Sequence, residues 1–149
     1  MFASKPVAIG AAAAVSLILA GCSGTDARTE QPQSTVKPIA GSSVQQVQLT
    51  ERAMHRLGIT TRPVQAAAGT QPGQGTPKVI PYSAVVYDTD GSTWTYVNTA
   101  ERTFVRQSID VRGIDGSTAV LAHGPAVGTA VVTVGAPELL GAEYDISGE

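Results

Sequence analysis

After Lys78 the chain is built from short runs of β-branched and aromatic residues broken by glycine-rich turns, a pattern that admits little besides antiparallel β-structure. Val79-Ile80 precedes Pro81, and Ala84-Val85-Val86-Tyr87 follows. Asp88-Thr89-Asp90-Gly91 is a turn signal leading into Thr93-Trp94-Thr95-Tyr96-Val97. In the next run Val105, Ile109 and Val111 share one face. Arg106, Ser108, Asp110 and Arg112 line the other, as a period of two requires. Gly113 to Gly116 turns the chain into Thr118 to Ala122, and Gly124 to Gly128 turns it into Ala130 to Val134. Pro137 opens a last helical turn that Gly141 ends.

The preceding segment is different. Val44 to Leu49 reads as a strand, and Thr50 as a helix N-cap with Leu49 and Met54 placed for a hydrophobic staple. Ala53, Met54 and Leu57 form a helical stripe, and Gly58 supplies the stop. Ile59 to Gln65 returns to strand character. Ala66 to Pro77, rich in Gly and Pro, reads as a flexible connection. The expected fold is all-β: a small sandwich or barrel-like domain over residues 44–146. It has about six to eight short strands and one short helix. Trp94, Tyr96 and the Val and Ile positions supply most of its core.

Cys22 is the single cysteine, so no internal disulfide supports this domain and it must fold on its core alone. The formal net charge of −2 argues against a nucleic-acid partner, which would require clustered Lys and Arg.

The N-terminus reads as an address. Lys5 gives a positive start, and the uncharged apolar run from Val7 to Ala20 is short for a membrane span but suits a secretory signal. It ends in Leu19-Ala20-Gly21-Cys22, which resembles the lipobox of bacterial lipoproteins. The resemblance implies a signal peptide over 1–21, a diacylglyceryl thioether on Cys22, cleavage after Gly21, and acylation of the new amine. Two or more acyl chains anchor stably, at about 0.8 kcal/mol per buried methylene. The alternative is an ordinary signal peptide or an uncleaved anchor with an incidental cysteine. Localisation on the extracytoplasmic face of a cell membrane follows from the lipobox reading. Ser23, not Asp, follows the cysteine, which leaves sorting to an outer membrane open.

Residues 22–43 read as a lipidated, disordered tether, with Ser23 to Ser43 rich in Ser, Thr, Gln, Gly and Pro. A flexible coil of that length spans about 25 Å on average, which keeps the domain close to the membrane.

Candidate chemistry is sparse. His55 and His123 are lone histidines far apart, whereas zinc needs three or four converging ligands. Met54 beside His55 is explained by the staple. Asp88 to Gly91 begins like a calcium loop without the remaining ligands, and reads as a hairpin turn. Glu138 and Glu143 are candidate paired carboxylates with nothing to place them in a cleft. Trp94 and Tyr96 share a strand face, either as core or as a ligand platform. No nucleophile elbow, phosphate loop or CxxC is present. No metal, cofactor or enzymatic activity is expected.

Two segments together resemble the periplasmic adaptors, or membrane fusion proteins, of efflux transporters. The first runs from Val47-Gln48-Leu49-Thr50 through Leu57-Gly58-Ile59 to Pro63-Val64. The second starts at Val79-Ile80-Pro81 and continues through Ala84-Val85, Tyr87-Asp88, Trp94 to Val97 and Phe104-Val105-Arg106. It closes with Gly128 to Ala136, Glu138-Leu139 and Gly141. In that family the matching parts form the membrane-proximal domain. The lipoyl-like domain, helical hairpin and β-barrel lie between them, where this sequence has only Ala66 to Pro77. The resemblance implies a lipid-anchored accessory protein that docks on an integral membrane transporter. The other expectation is a ligand- or metal-binding sensing lipoprotein.

Overall fold

We describe the protein from a computed structural model, over residues 32–68 and 77–145. The signal segment, Cys22 and the first part of the tether lie outside the described residues, as does most of the Ala66–Pro77 connection.

The described residues are mostly β, with eleven strands in two antiparallel sheets. The strands are β1 (Ser34–Pro38), β2 (Gln45–Leu49), β3 (Thr60–Pro63), β4 (Gln65–Ala66), β5 (Lys78–Pro81) and β6 (Val86–Tyr87). They continue with β7 (Thr93–Ala100), β8 (Thr103–Ser108), β9 (Asp110–Asp115), β10 (Thr118–His123) and β11 (Ala130–Val134). Helix α1 (Glu51–Leu57) follows β2, a 3-10 turn (Tyr82–Ala84) follows β5, and α2 (Ala136–Asp145) follows β11.

The larger sheet has the order β1-β2-β8-β7-β11-β3, with β6 also pairing β7; the smaller has the order β4-β5-β10-β9. Neither closes into a barrel. The count exceeds six to eight because several runs that look continuous in sequence change sheets. Thr60 to Ala66 is divided at Val64: β3 pairs β11, and β4 pairs β5. The run from Phe104 to Arg112 is divided at Ile109 into β8 and β9, which lie in different sheets.

Alternation sends neighbouring side chains into two cores. Tyr96 and Val132 join Val47, Phe104 and Leu139 beneath the helices, whereas Val97 and Val131 join Ile80, Ile109 and Leu121 between the sheets. The helices thus cover one face of the larger sheet and the smaller sheet covers the other.

Helix α1 is built as its sequence implies. Thr50 Oγ1 accepts from the Ala53 amide at 3.2 Å, and Leu49 and Met54 both pack into the core under the helices. Gly58 ends the helix at φ 60°, a left-handed conformation natural to glycine.

Three expectations are corrected. Ser34–Pro38, assigned to the tether, is strand β1, paired along its whole length with β2. Its sequence is polar, but main-chain bonds to β2 and the packing of Val36 against the core hold it. Helix α2 runs ten residues, straight through Gly141. A mid-helix glycine costs about 1 kcal/mol, and the contacts of Glu143 and Tyr144 described below offset this. Arg106, placed with Ser108, Asp110 and Arg112 on the polar side of the alternation, is buried. No helix among the described residues is long and apolar enough to cross a membrane.

Candidate functional site

Two features stand out: a buried polar cluster under α2 and an open wedge between the sheets.

The cluster is centred on Arg106. Strands β7 and β8 pair Tyr96 with Arg106 and Trp94 with Ser108, so Trp94, Tyr96 and Arg106 project from the same face toward α2. Arg106 Nε donates to Glu143 Oε1 at 3.0 Å, and Nη1 donates to Asp88 Oδ2 at 2.6 Å. The Tyr96 hydroxyl donates to Glu143 Oε2 at 2.6 Å, and the Gln45 amide donates to Glu143 Oε1 at 3.2 Å. The Tyr144 hydroxyl donates to Asp88 at 2.9 Å. The guanidinium also packs on two rings, 4.6 Å from the Trp94 centroid and 5.4 Å from that of Tyr144.

The electrostatics follow from these contacts. The Asp88 carboxyl is lowered to about 2 by the Thr89 amide, the Arg106 guanidinium and the Tyr144 hydroxyl. Burial and the hydrogen bond to Glu143 push the Tyr96 hydroxyl well up. Burial opposes the charge on Arg106, but the Asp88 hydrogen bond and the Glu143 charge outweigh it and raise its pKa. Every group in the cluster is satisfied by a neighbour, and Glu143 is 1 % exposed. The cluster bolts α2 and the β6–β7 turn to the sheet.

The sequence candidates are thus distributed as follows. Asp88 to Gly91 forms the hairpin turn, with Asp90 accepting from Ser92 and Asp88 turned toward Arg106. Glu138 is exposed and Glu143 buried, so they are not a carboxylate pair. Trp94 and Tyr96 do share a face, and both are committed to the cluster. His55 is exposed on α1; His123 ends β10, where it lies 3.7 Å from Asp110. No group of three His, Cys, Asp or Glu suited to a metal occurs among the described residues.

The wedge was not legible as a site. Strand β4 pairs β5 through Gln65–Val79 and Ala66–Lys78. Continuing that register would set Pro63 opposite Pro81. Neither proline has an amide hydrogen, so the ladder stops there. Beyond this point β3 leaves with the larger sheet and β5 stays with the smaller one. The resulting groove of about 800 Å3 is walled by Thr60, Arg62, Thr133 and Val134 on one side. The other wall includes Pro81, Tyr82, Ser83 and Thr118.

Among the described residues, Arg62 is the only charged one lining it. Tyr82 and Val134 are exposed large hydrophobic residues at its walls, and Tyr87 lies beside Tyr82, their hydroxyls 3.4 Å apart. All four β3 residues are exposed, and the outer edge of β3 has no strand partner among the described residues. The signal in the sequence was the pair of prolines at the ends of two strand-like runs.

No protein-family profile, curated protein or solved structure matches this chain.

Proposed function

We propose that this chain is a lipid-anchored extracytoplasmic accessory protein that docks on a membrane transporter through the wedge between β3 and β5. The observation that carries the reading is the wedge itself. It combines a strand edge without a partner among the described residues, exposed Tyr82 and Val134, and the cation Arg62. An extended segment of a partner can add to such an edge through its main chain, while pockets beside the strand select its side chains. The lipobox at Cys22 and the order of the adaptor-like segments supply the location and the kind of partner. Lipid anchoring raises the effective concentration for a partner embedded in the same membrane.

The test is photocrosslinking in intact cells from a probe at Tyr82, with wild type and Cys22→Ser, followed by mass spectrometry of membrane extracts. Recovery of an integral membrane transporter by the wild type and its loss in Cys22→Ser is the expected result. Recovery of no membrane protein by either form would refute it.

The wedge volume also suits a small molecule, since ligand pockets commonly run to about 300–1,000 Å3. On that second reading, an export substrate that occupies the wedge raises the melting temperature by mass action.

A further inference from the structure

We infer that the exposed cationic side of helix α1 rests on anionic phospholipid headgroups of the membrane that holds the anchor. The inference rests on the lipid-anchor reading of Cys22 and adds an orientation to it.

Charge is divided unevenly along the chain. Residues 32–68 carry four cations (Lys37, Arg52, Arg56 and Arg62) against one anion, Glu51. Residues 77–145 carry four cations against eight anions. Residues 23–31, between Cys22 and this segment, carry Arg28 against Asp26 and Glu30, so the basic part is the first segment of the folded domain and not the connection itself, in a protein whose net charge is negative.

Within that segment, Arg52, His55 and Arg56 are exposed at the i, i+3 and i+4 positions of α1, which puts them on one side of the helix. Ala53, Met54 and Leu57 pack toward the core from the other side. Among the described residues, neither Arg52 nor Arg56 has an acidic partner. Glu51 opens the same helix, and Arg102 of the nearby β7–β8 turn is paired with Glu101 at 3.1 Å.

The chain enters the domain at this helix. The Thr50 amide donates to the Gln33 carbonyl at 3.0 Å, and Arg56 Nη2 donates to Gln33 Oε1 at 3.4 Å. Gln33 is eleven residues from Cys22. Eleven residues reach at most about 40 Å. A domain of this size has a radius of gyration of about 13 Å. Reaching the membrane around the far side of the domain would need the connection almost fully extended. The covalent limit therefore leaves α1, where the chain enters, within easier reach of the headgroups than the far side of the domain. Each arginine near an anionic surface then contributes about a fivefold preference for that orientation.

The full lipidated chain is reconstituted into phosphatidylcholine vesicles with or without phosphatidylglycerol, both containing a headgroup spin-labelled lipid. A fluorophore is placed at His55→Cys or, on β9 of the smaller sheet, at Ile114→Cys; the Cys22 sulfur is occupied by lipid. Quenching several-fold stronger at position 55 than at 114, and only with phosphatidylglycerol, is expected. Arg52→Gln with Arg56→Gln, and separately Arg52→Glu with Arg56→Glu, should bring the two positions level while the chain still floats with the vesicles. Equal quenching at both positions in anionic vesicles, or no change in either double variant, overturns this inference and leaves the anchor reading intact. A wild-type chain that fails to float with vesicles overturns both.

Discussion

Arg106 and Glu143 lie 37 residues apart in sequence and meet at 3.0 Å, with the guanidinium side chain 7 % and the carboxyl side chain 1 % exposed. Strand β8 and helix α2 are joined at this point by a buried charged contact. Removing Arg106 leaves the Glu143 charge buried without its cation, whereas neutralising Glu143 leaves Arg106 still paired with Asp88. Arg106→Met is therefore expected to destabilise the fold by about 3–5 kcal/mol, and Glu143→Gln by less. The double variant should lose less than the sum of the two, with a coupling of about 0.5–3 kcal/mol. Urea unfolding of the four proteins measures the cycle; additive losses would mean that the two groups act independently.

Asp88 supplies a pH dependence of known sign. Its carboxyl falls from an ordinary 3.8 to about 2 in the folded protein. A group depressed on folding stabilises the native state above its unfolded pKa and loses that contribution as pH falls through the folded one. The melting temperature should therefore drop between about pH 4 and pH 2. Asp88→Asn should start lower at neutral pH and flatten this part of the profile. An unchanged slope in the variant would show that other carboxyls dominate.

Thr95 is fully buried in β7, and its hydroxyl oxygen has no hydrogen-bond partner. It lies on the same side of β7 as Val97, facing the core between the sheets. Valine has nearly the same shape without the unsatisfied group. Thr95→Val is expected to stabilise by about 1 kcal/mol, read as a higher urea midpoint with an unchanged slope. A loss of stability would mean that a buried water or another group serves the hydroxyl.

Gly135 joins β11 to α2 at φ 86°, and a Cβ placed there would overlap Ile59 Cδ1. The backbone conformation favours glycine, and a Cβ would also push the Ile59 end methyl aside. Gly135→Ala should cost more than about 1 kcal/mol and lower the melting temperature. Pairing it with Ile59→Val should recover part of the loss if the overlap contributes, and none if only the dihedral matters.

Helix α1 was legible in full because its signals are local: a threonine cap, a staple and a glycine stop. So was the turn from Asp88 to Gly91. The all-β class followed from alternation and turns, but the sheet changes at Val64 and Ile109 did not, since a strand that passes between sheets keeps its period of two. Strand β1 was hidden because one valine among polar residues gives no pattern, and its partner supplies the hydrogen bonds. Arg106 sits at an ordinary polar position in the alternation. Its burial depends on Glu143, Asp88 and Trp94, which only the folded chain brings together. The wedge depends on Pro63 and Pro81 falling at the same point of the β4–β5 register, where the pairing stops, a relation that sequence order does not display.

The Ala67 amide donates to the Pro77 carbonyl at 2.8 Å, so the points where the chain leaves β4 and returns to β5 lie within hydrogen-bond distance of each other. The residues between need only bridge that gap. The domain is in effect two polypeptides, one ending near Ala67 and one beginning near Pro77, which recognise each other by strand pairing. Such a junction tolerates cutting, and it equally accepts a spliced-in module whose own ends lie close together. The same fold can therefore serve as a finished domain or as a socket for another.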